Sequence, residues 1–262
     1  KQSLKQANAR LNLWHGAVRS GKTVASIIRW LTYLVNGAPG DLLMVGKTER
    51  TLKRNILDPM EQIVGRRLFN YNRGMGELRI AKRRIYIAGA NDERSEGKIR
   101  GLTLAGAYGD EITLWAESFF KMLLSRLSVR EAKFFGTTNP DSPYHWLKTD
   151  YLDKPGLDLK QWHFTLEDNI SLDPAYVASL KQEYSGLWYD RFILGLWKQA
   201  EGAVYDMWDD KIHTIDTSPA DFDRLFVGID YGTTNPTVFL LVAQDGGRLY
   251  VLDEYYYDSA KA

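Results

Sequence analysis

Apolar and polar positions along this chain alternate between two periods. Leu11 to Trp14 is a short apolar run that predicts a strand. From Lys22 to about Asn36, Val24, Ile27, Ile28, Leu31 and Val35 recur on one side of a helix. Asp41–Val45 follows as a buried strand and Glu49 to about Val64 as a second helix. Leu78–Ile80 and Ile85–Ile87 predict a hairpin, with Lys82, Arg83 and Arg84 near its tip. Leu104–Gly109 predicts a strand of small residues, Glu117–Val129 a helix, and Lys133–Thr137 another strand. Strand and helix in turn imply an α/β domain with a mainly parallel central sheet.

Past Pro140 the pattern changes. Residues 142–200 read as mostly helical, a lid or subdomain, with Pro174 at a helix start after Ser171 and Asp173. An acidic stretch rich in Thr, Ser and Pro reads as a linker over 206–224. Leu225–Tyr231, Thr237–Val242 and Arg248–Tyr255 are then three strands, the last two joined by a turn at Gln244–Gly247. The expected organisation is one domain over 1–205, the linker, and the opening of a second domain at 225–262. At about 40 residues that opening is too short for a core of its own.

Composition narrows the chemistry. The chain has 262 residues, 44% of them hydrophobic, enough for one large domain or two modest ones. With 34 Lys and Arg against 33 Asp and Glu there is no global excess of charge to mark a polyanion or membrane binder. The distribution is uneven. Lys47–Arg100 carries 14 basic and 7 acidic residues, and Glu201–Ala262 carries 4 basic and 12 acidic ones. The first stretch could face a polyanion. The absence of cysteine excludes a disulfide framework, a cysteine zinc site, an iron–sulfur cluster and a thiol nucleophile. The four histidines form no metal pair at helical spacing. No apolar run reaches the roughly 18–20 residues that cross a bilayer. The sequence begins at Lys1 without Met or a signal peptide, as a fragment would.

Two motifs carry the chemistry. Gly16-Ala17-Val18-Arg19-Ser20-Gly21-Lys22-Thr23 fits the phosphate-loop pattern GxxxxGK[ST] between a strand and a helix. Its glycines let backbone N–H groups turn inward, and the helix points its positive end at the phosphates. Lys22 would reach the β and γ oxygens of ATP and the Thr23 hydroxyl would ligate Mg²⁺. Arg19 is either a γ-phosphate sensor in cis or a surface arginine paired with a carboxylate. The second motif is Asp110-Glu111, at the end of the apolar strand and 88 residues past Lys22. Asp110 would hold the Mg²⁺ shell and Glu111 would orient the attacking water. Adjacent acid and base suggest a RecA-like ATPase of the additional-strand class. In that class a further strand separates the two motif strands, here Asp41–Val45 or Lys133–Thr137.

Three further segments complete an ordered set: Ser95–Gly101 before the acid strand, Gly136-Thr137-Thr138-Asn139-Pro140 after it, and Gly228–Gly232 near the end. With the phosphate loop and acid pair in this order, the chain resembles the large terminase subunit of tailed bacteriophages. That family is an ATP-driven motor that packages viral double-stranded DNA: an N-terminal ATPase followed by a ribonuclease-H-like nuclease. The resemblance implies that Thr137, Thr138 and Asn139 couple γ-phosphate loss to movement, their polar side chains facing a phosphate or the water. It implies that Arg100 reaches a neighbouring subunit's ATP in a ring. It places an adenine-binding glutamine upstream of the loop, where Gln6 or Gln2 stands; Trp14 or Tyr33 could stack on the base. It makes Asp230 the first acid of a two-metal nuclease whose other acids lie further on, so the chain as given is expected not to cut DNA. The implied partners are double-stranded DNA, the portal and the small terminase subunit, in the host cytoplasm and without a membrane. Lys82, Arg83, Arg84, Arg66 and Arg67 are candidates for phosphate contacts. A helicase or translocase ATPase, a nucleotide-dependent DNA clamp with little turnover, and a stand-alone nuclease remain as alternatives.

Overall fold

The computed structural model describes residues 2–199, 213–215, 221–232 and 236–257. The chain divides into two units, Lys1–Ala203 and Val204–Ala262. Most of the linker expected over 206–224 lies outside the described residues.

The first unit is built on one eight-stranded sheet. In chain order its strands are β1 (Leu11–Gly16), β2 (Asp41–Gly46), β3 (Phe69–Asn72), β4 (Glu77–Ile80), β5 (Arg83–Gly89), β6 (Leu104–Gly109), β7 (Lys133–Thr138) and β8 (Leu159–Phe164). Across the sheet the order is β3-β4-β5-β2-β6-β7-β1-β8. The run from β5 to β8 is parallel, and β3 and β4 add an antiparallel edge. The strand between the phosphate-loop strand β1 and the acid strand β6 is therefore β7; β2 lies beyond β6.

Both faces of the central strands are buried, so their sequences run apolar without alternation. Successive side chains still go to opposite layers. Trp14, Leu42, Met44, Tyr108 and Phe135 join one core, and Leu13, Leu43, Val45, Ala107 and Phe134 the other. Helix α1 (Gln2–Gln6) leads in, α2 (Lys22–Asn36) covers the first layer, and a helical segment over 49–64 extends it. The helix over Glu117–Arg126 covers the second layer with Phe119, Phe120 and Leu123.

The face that α2 turns to the sheet differs from the stripe expected. Ser26, Ile27, Trp30, Tyr33 and Leu34 are buried, while Val24, Ile28 and Val35 are 55%, 41% and 69% exposed. The aromatic rings decide the rotation. Trp30 and Tyr33 cluster with Phe135, and Trp30 also meets Tyr108. Each such ring buries about 150–250 Å², more than a valine offers.

The expected helix over Glu49–Val64 is three pieces: α3 (Glu49–Leu52), a π turn over Lys53–Leu57, and α4 (Asp58–Val64). Pro59 explains the break. It has no N–H to donate to Asn55, and its ring would crowd that carbonyl, so the turn widens and the Asp58 N–H bonds to Lys53 O instead.

The stretch 142–200 is not mostly helical. It contains strand β8, parallel to β1, besides a π turn (Lys148–Leu152) and the short helices Pro174–Glu183 and Gly186–Phe192. Asp173 caps the Pro174 helix by accepting from the Ala175 N–H. The β4–β5 hairpin turns on Ala81 and Lys82, both with positive φ. Two of its three basic residues are engaged. Arg83 donates to the carbonyls of Leu34, Ala38 and Gly40, and Arg84 pairs with Asp41. Lys82, Arg66 and Arg67 remain exposed.

The second unit is a three-stranded antiparallel sheet, β11-β10-β9, formed by β9 (Arg224–Asp230), β10 (Thr237–Asp245) and β11 (Arg248–Tyr257). Gly246 and Gly247 make the tight turn with φ of 51° and 83°. Leu225, Phe226, Val227 and Ile229 of β9 are exposed. Among the described residues no helix is long and apolar enough to cross a membrane.

Candidate functional site

The site forms at the C-terminal ends of β1, β6 and β7, where open α/β sheets present their ligand crevice. β1 runs into Gly16, and the loop closes at Gly21, whose φ of 83° starts α2 without a side-chain cap. The first N–H groups of a 15-residue helix are thus left for an anion. Arg19 also sits at positive φ, and its carbonyl accepts from the Asn169 side chain at 2.6 Å. The Ala17 N–H donates to Phe164 O at 2.7 Å, fastening the loop to β8.

Inside the loop, the Ser20 hydroxyl is buried with no hydrogen-bond partner. Lys22 is buried as well. Its ammonium donates to Ala17 O at 2.8 Å and to Asn139 Oδ1 at 2.7 Å, both neutral groups. Burial pushes its pKa down to about 8; the charges of Asp110 and Glu111 oppose that shift. An orphaned hydroxyl and an underneutralised buried cation are what a polyphosphate would satisfy.

Across from the loop, Asp110 is 6% exposed. Its Oδ1 accepts from Thr137 Oγ1 at 2.6 Å and its Oδ2 from Asn55 Nδ2 at 3.4 Å. Burial raises its pKa, and the bonds from Thr137 and Asn55, then the Lys22 charge, oppose the rise. Glu111 is half-buried with φ 55°, a left-handed conformation that costs a non-glycine residue about 1–3 kcal/mol. Burial first, then the Asp110 charge, raise its pKa, while Arg54 and Lys22 oppose them. The hard oxygens of Asp110 and of the Thr23 hydroxyl suit Mg²⁺.

The Thr137–Asn139 segment joins these parts, and its polar groups are already engaged within the protein. Thr137 holds Asp110, Thr138 Oγ1 meets Thr113 Oγ1 at 2.8 Å just past Glu111, and Asn139 holds Lys22.

The other expected residues are less tightly gathered. Arg19 is exposed and lies over the Tyr176 ring at 5.7 Å instead of against a carboxylate. Arg100 is 72% exposed on its loop, 4.0 Å from Glu96. Gln6 and Gln2 are exposed at the two ends of α1. Trp14 and Tyr33 are core residues, 0% and 3% exposed, and are not available to stack on a base. Asp230 ends β9 in the second unit, paired in register with Val238. Among the described residues no group of three or more metal-binding side chains is present.

Several site neighbours carry no signal in the sequence. Gly195 has φ 70°, and a Cβ there would lie 2.5 Å from the Ala17 nitrogen. His15, one residue before the loop, accepts from Trp197 Nε1 at 3.3 Å and meets Gln161 Oε1 at 3.1 Å. Asn55 reaches the acid strand from 55 residues away. Only Pro59, which forces the π turn, hints at it.

Residues 14–209 match the family model of the terminase large subunit, T4likevirus-type, N-terminal. The chain is similar to the large terminase of a thermophilic bacteriophage, with 34% identity and a TM-score of 0.67 over 98% of this chain and 65% of that one. That thermophilic-phage protein has also been solved with ADP and with ATP-γ-S. The large terminase ATPase domain of Thermus phage P74-26 shares the fold at 15% identity and a TM-score of 0.57, over 74% of this chain and 92% of that one. No curated protein matches. The chain spans about 65% of the length of the thermophilic-phage terminase.

Proposed function

Given that this chain belongs to the large-terminase family of tailed phages, we propose that it is the ATPase part of a motor that moves double-stranded DNA into a procapsid. The observation that carries the reading is the buried Lys22 ammonium, held by neutral groups in a phosphate loop and facing the Asp110–Glu111 pair. The solved complexes of the thermophilic-phage relative with ADP and ATP-γ-S support the same ligand class.

In this reading Gly16–Thr23 receives the phosphates on backbone N–H groups and the end of α2. Lys22 leaves Asn139 for the β and γ oxygens. Thr23 and Asp110 would hold Mg²⁺, which when bound screens charge on the phosphates. Glu111 accepts a hydrogen bond from water in line with the γ-phosphate. Arg19, exposed on the loop over the Tyr176 ring, would turn to the same phosphates in cis, and Arg100, exposed on its loop, would serve the site of the next subunit in a ring. Gln6 is the adenine contact on the α1 side. Release of Lys22 frees Asn139, and through Thr137 and Thr138 the change reaches both acids and the 113–115 turn. DNA is held by sequence-independent phosphate contacts, with Lys82, Arg66 and Arg67 as exposed cations. The second unit begins a ribonuclease-H-like nuclease with Asp230 as its first metal-binding acid. Portal and small terminase subunit are the assembly partners, in the host cytoplasm.

Phosphate release from Mg²⁺-ATP tests the site. Lys22→Ala and Glu111→Ala are each expected to lose at least about 100-fold in turnover. Lys22→Ala also loses nucleotide binding, whereas Glu111→Ala keeps it. Normal turnover in either variant would overturn the assignment. Tight binding by the wild type without turnover would favour the nucleotide-gated clamp.

A further inference from the structure

We propose that Asn55 is a positioning residue for the acid pair: the widened turn at Lys53–Leu57 presents its side-chain amide to Asp110 while Arg54 binds its other end. The proposal rests on the reading of Asp110 and Glu111 as the metal-holding and water-orienting acids.

Among the described residues, Thr137 and Asn55 are the two side chains that donate to the Asp110 carboxylate, one to each oxygen. Thr137 comes from the neighbouring strand β7 and fixes Oδ1. Asn55 comes from a helix that follows β2 and reaches Oδ2 at 3.4 Å. A carboxylate held at one oxygen can still rotate about its Cβ–Cγ bond. Held at both, it presents one set of lone pairs to the phosphate loop.

Asn55 suits this place because an amide both donates and accepts. Its Nδ2 goes to Asp110 and its Oδ1 takes a bond from Arg54 Nε at 3.3 Å. The chain Arg54–Asn55–Asp110 therefore orients the amide and leaves the Arg54 charge acting on Glu111 against burial. An aspartate at 55 could only accept and would set a second negative charge against Asp110. An alanine would leave Oδ2 without its donor. The π turn is what supplies this side chain: Pro59 opens the helix at the residue carrying the amide, and π turns of this kind recur at functional positions.

The test separates metal-dependent from metal-independent nucleotide binding. Fluorescent mant-ADP is titrated onto the full chain in EDTA and across a Mg²⁺ series, beside thermal melts and ATP turnover. In EDTA, Asn55→Ala is expected to bind mant-ADP as the wild type does. Asn55→Ala is expected to need about 10-fold more Mg²⁺ for the metal-dependent gain, the size of one bond to a charged group. Asn55→Gln, which keeps donor and acceptor, recovers part of the loss. An unchanged Mg²⁺ requirement in Asn55→Ala, or an equal loss with and without metal, would overturn the proposal. If the wild type gains nothing from Mg²⁺, the reading of Asp110 itself falls and this proposal with it.

Discussion

His15 shows how much of the site depends on single side chains. It is 7% exposed, and burial, then the charge of His163, hold its pKa at about 4. Nδ1 accepts from Trp197, so the proton of the neutral ring sits on Nε2 toward Gln161. The unfolded chain binds a proton at 15 below its ordinary value of 6.5, the folded one only below about 4. Stability is therefore expected to fall as pH drops through that window, by roughly 3 kcal/mol from this residue. Urea unfolding at pH 7 and pH 5 should show a steeper loss in the wild type than in His15→Gln. Equal slopes would remove His15 as the cause. In sequence, His15 was only one of four scattered histidines. The phosphate loop and acid pair were legible because their spacing is a local property of strand, turn and helix. Asn55, Gly195 and His15 were not, since each acts through a contact closed by the tertiary fold.

At the level of elements, two matched their expected bounds. Lys22–Asn36 and Leu104–Gly109 span the residues their patterns gave. Strand β8 was missed because Lys160, Gln161 and His163 break its apolar run, as an edge strand with partly wet faces allows. β3 is four residues with two asparagines and carries too little signal. The rotated face of α2 has a direct test. Trp30→Ala is expected to cost about 3–5 kcal/mol, against less than about 1 kcal/mol for Val35→Ala on the exposed side. The stripe read from sequence would require the reverse order. The segment after the Gly186–Phe192 helix matters at the same scale. Gly195→Ala drives a Cβ against the Ala17 nitrogen and the Phe164 carbonyl, and backbone there cannot give cheaply. It is expected to weaken mant-ADP binding about 10-fold or more, whereas Gly74→Ala, with ordinary space around it, does not. Equal binding in the two variants would separate Gly195 from the phosphate loop.

For the whole molecule, the fold class was readable from the alternation of elements, but the strand between the two motifs was not. Its identity is fixed by pairing between strands over a hundred residues apart, as Leu13 with Gly136 shows. The proposed meeting of subunits is likewise outside any local pattern. Arg100 gives the clearest handle, because its guanidinium faces outward at 72% exposure with Glu96 4.0 Å away. A guanidinium supplied by a neighbour would offset charge on the γ-phosphate, an effect worth about 10³–10⁵ in rate in other NTPases. The proposed ATPase site is completed across a subunit boundary. It is tested most directly by ATPase activity per subunit as a function of protein concentration, wild type beside Arg100→Ala. Wild-type specific activity is expected to climb with concentration while the variant stays low and flat. A wild type independent of concentration, matched by Arg100→Ala, would contradict the claim and leave Arg19 as the arginine acting in cis.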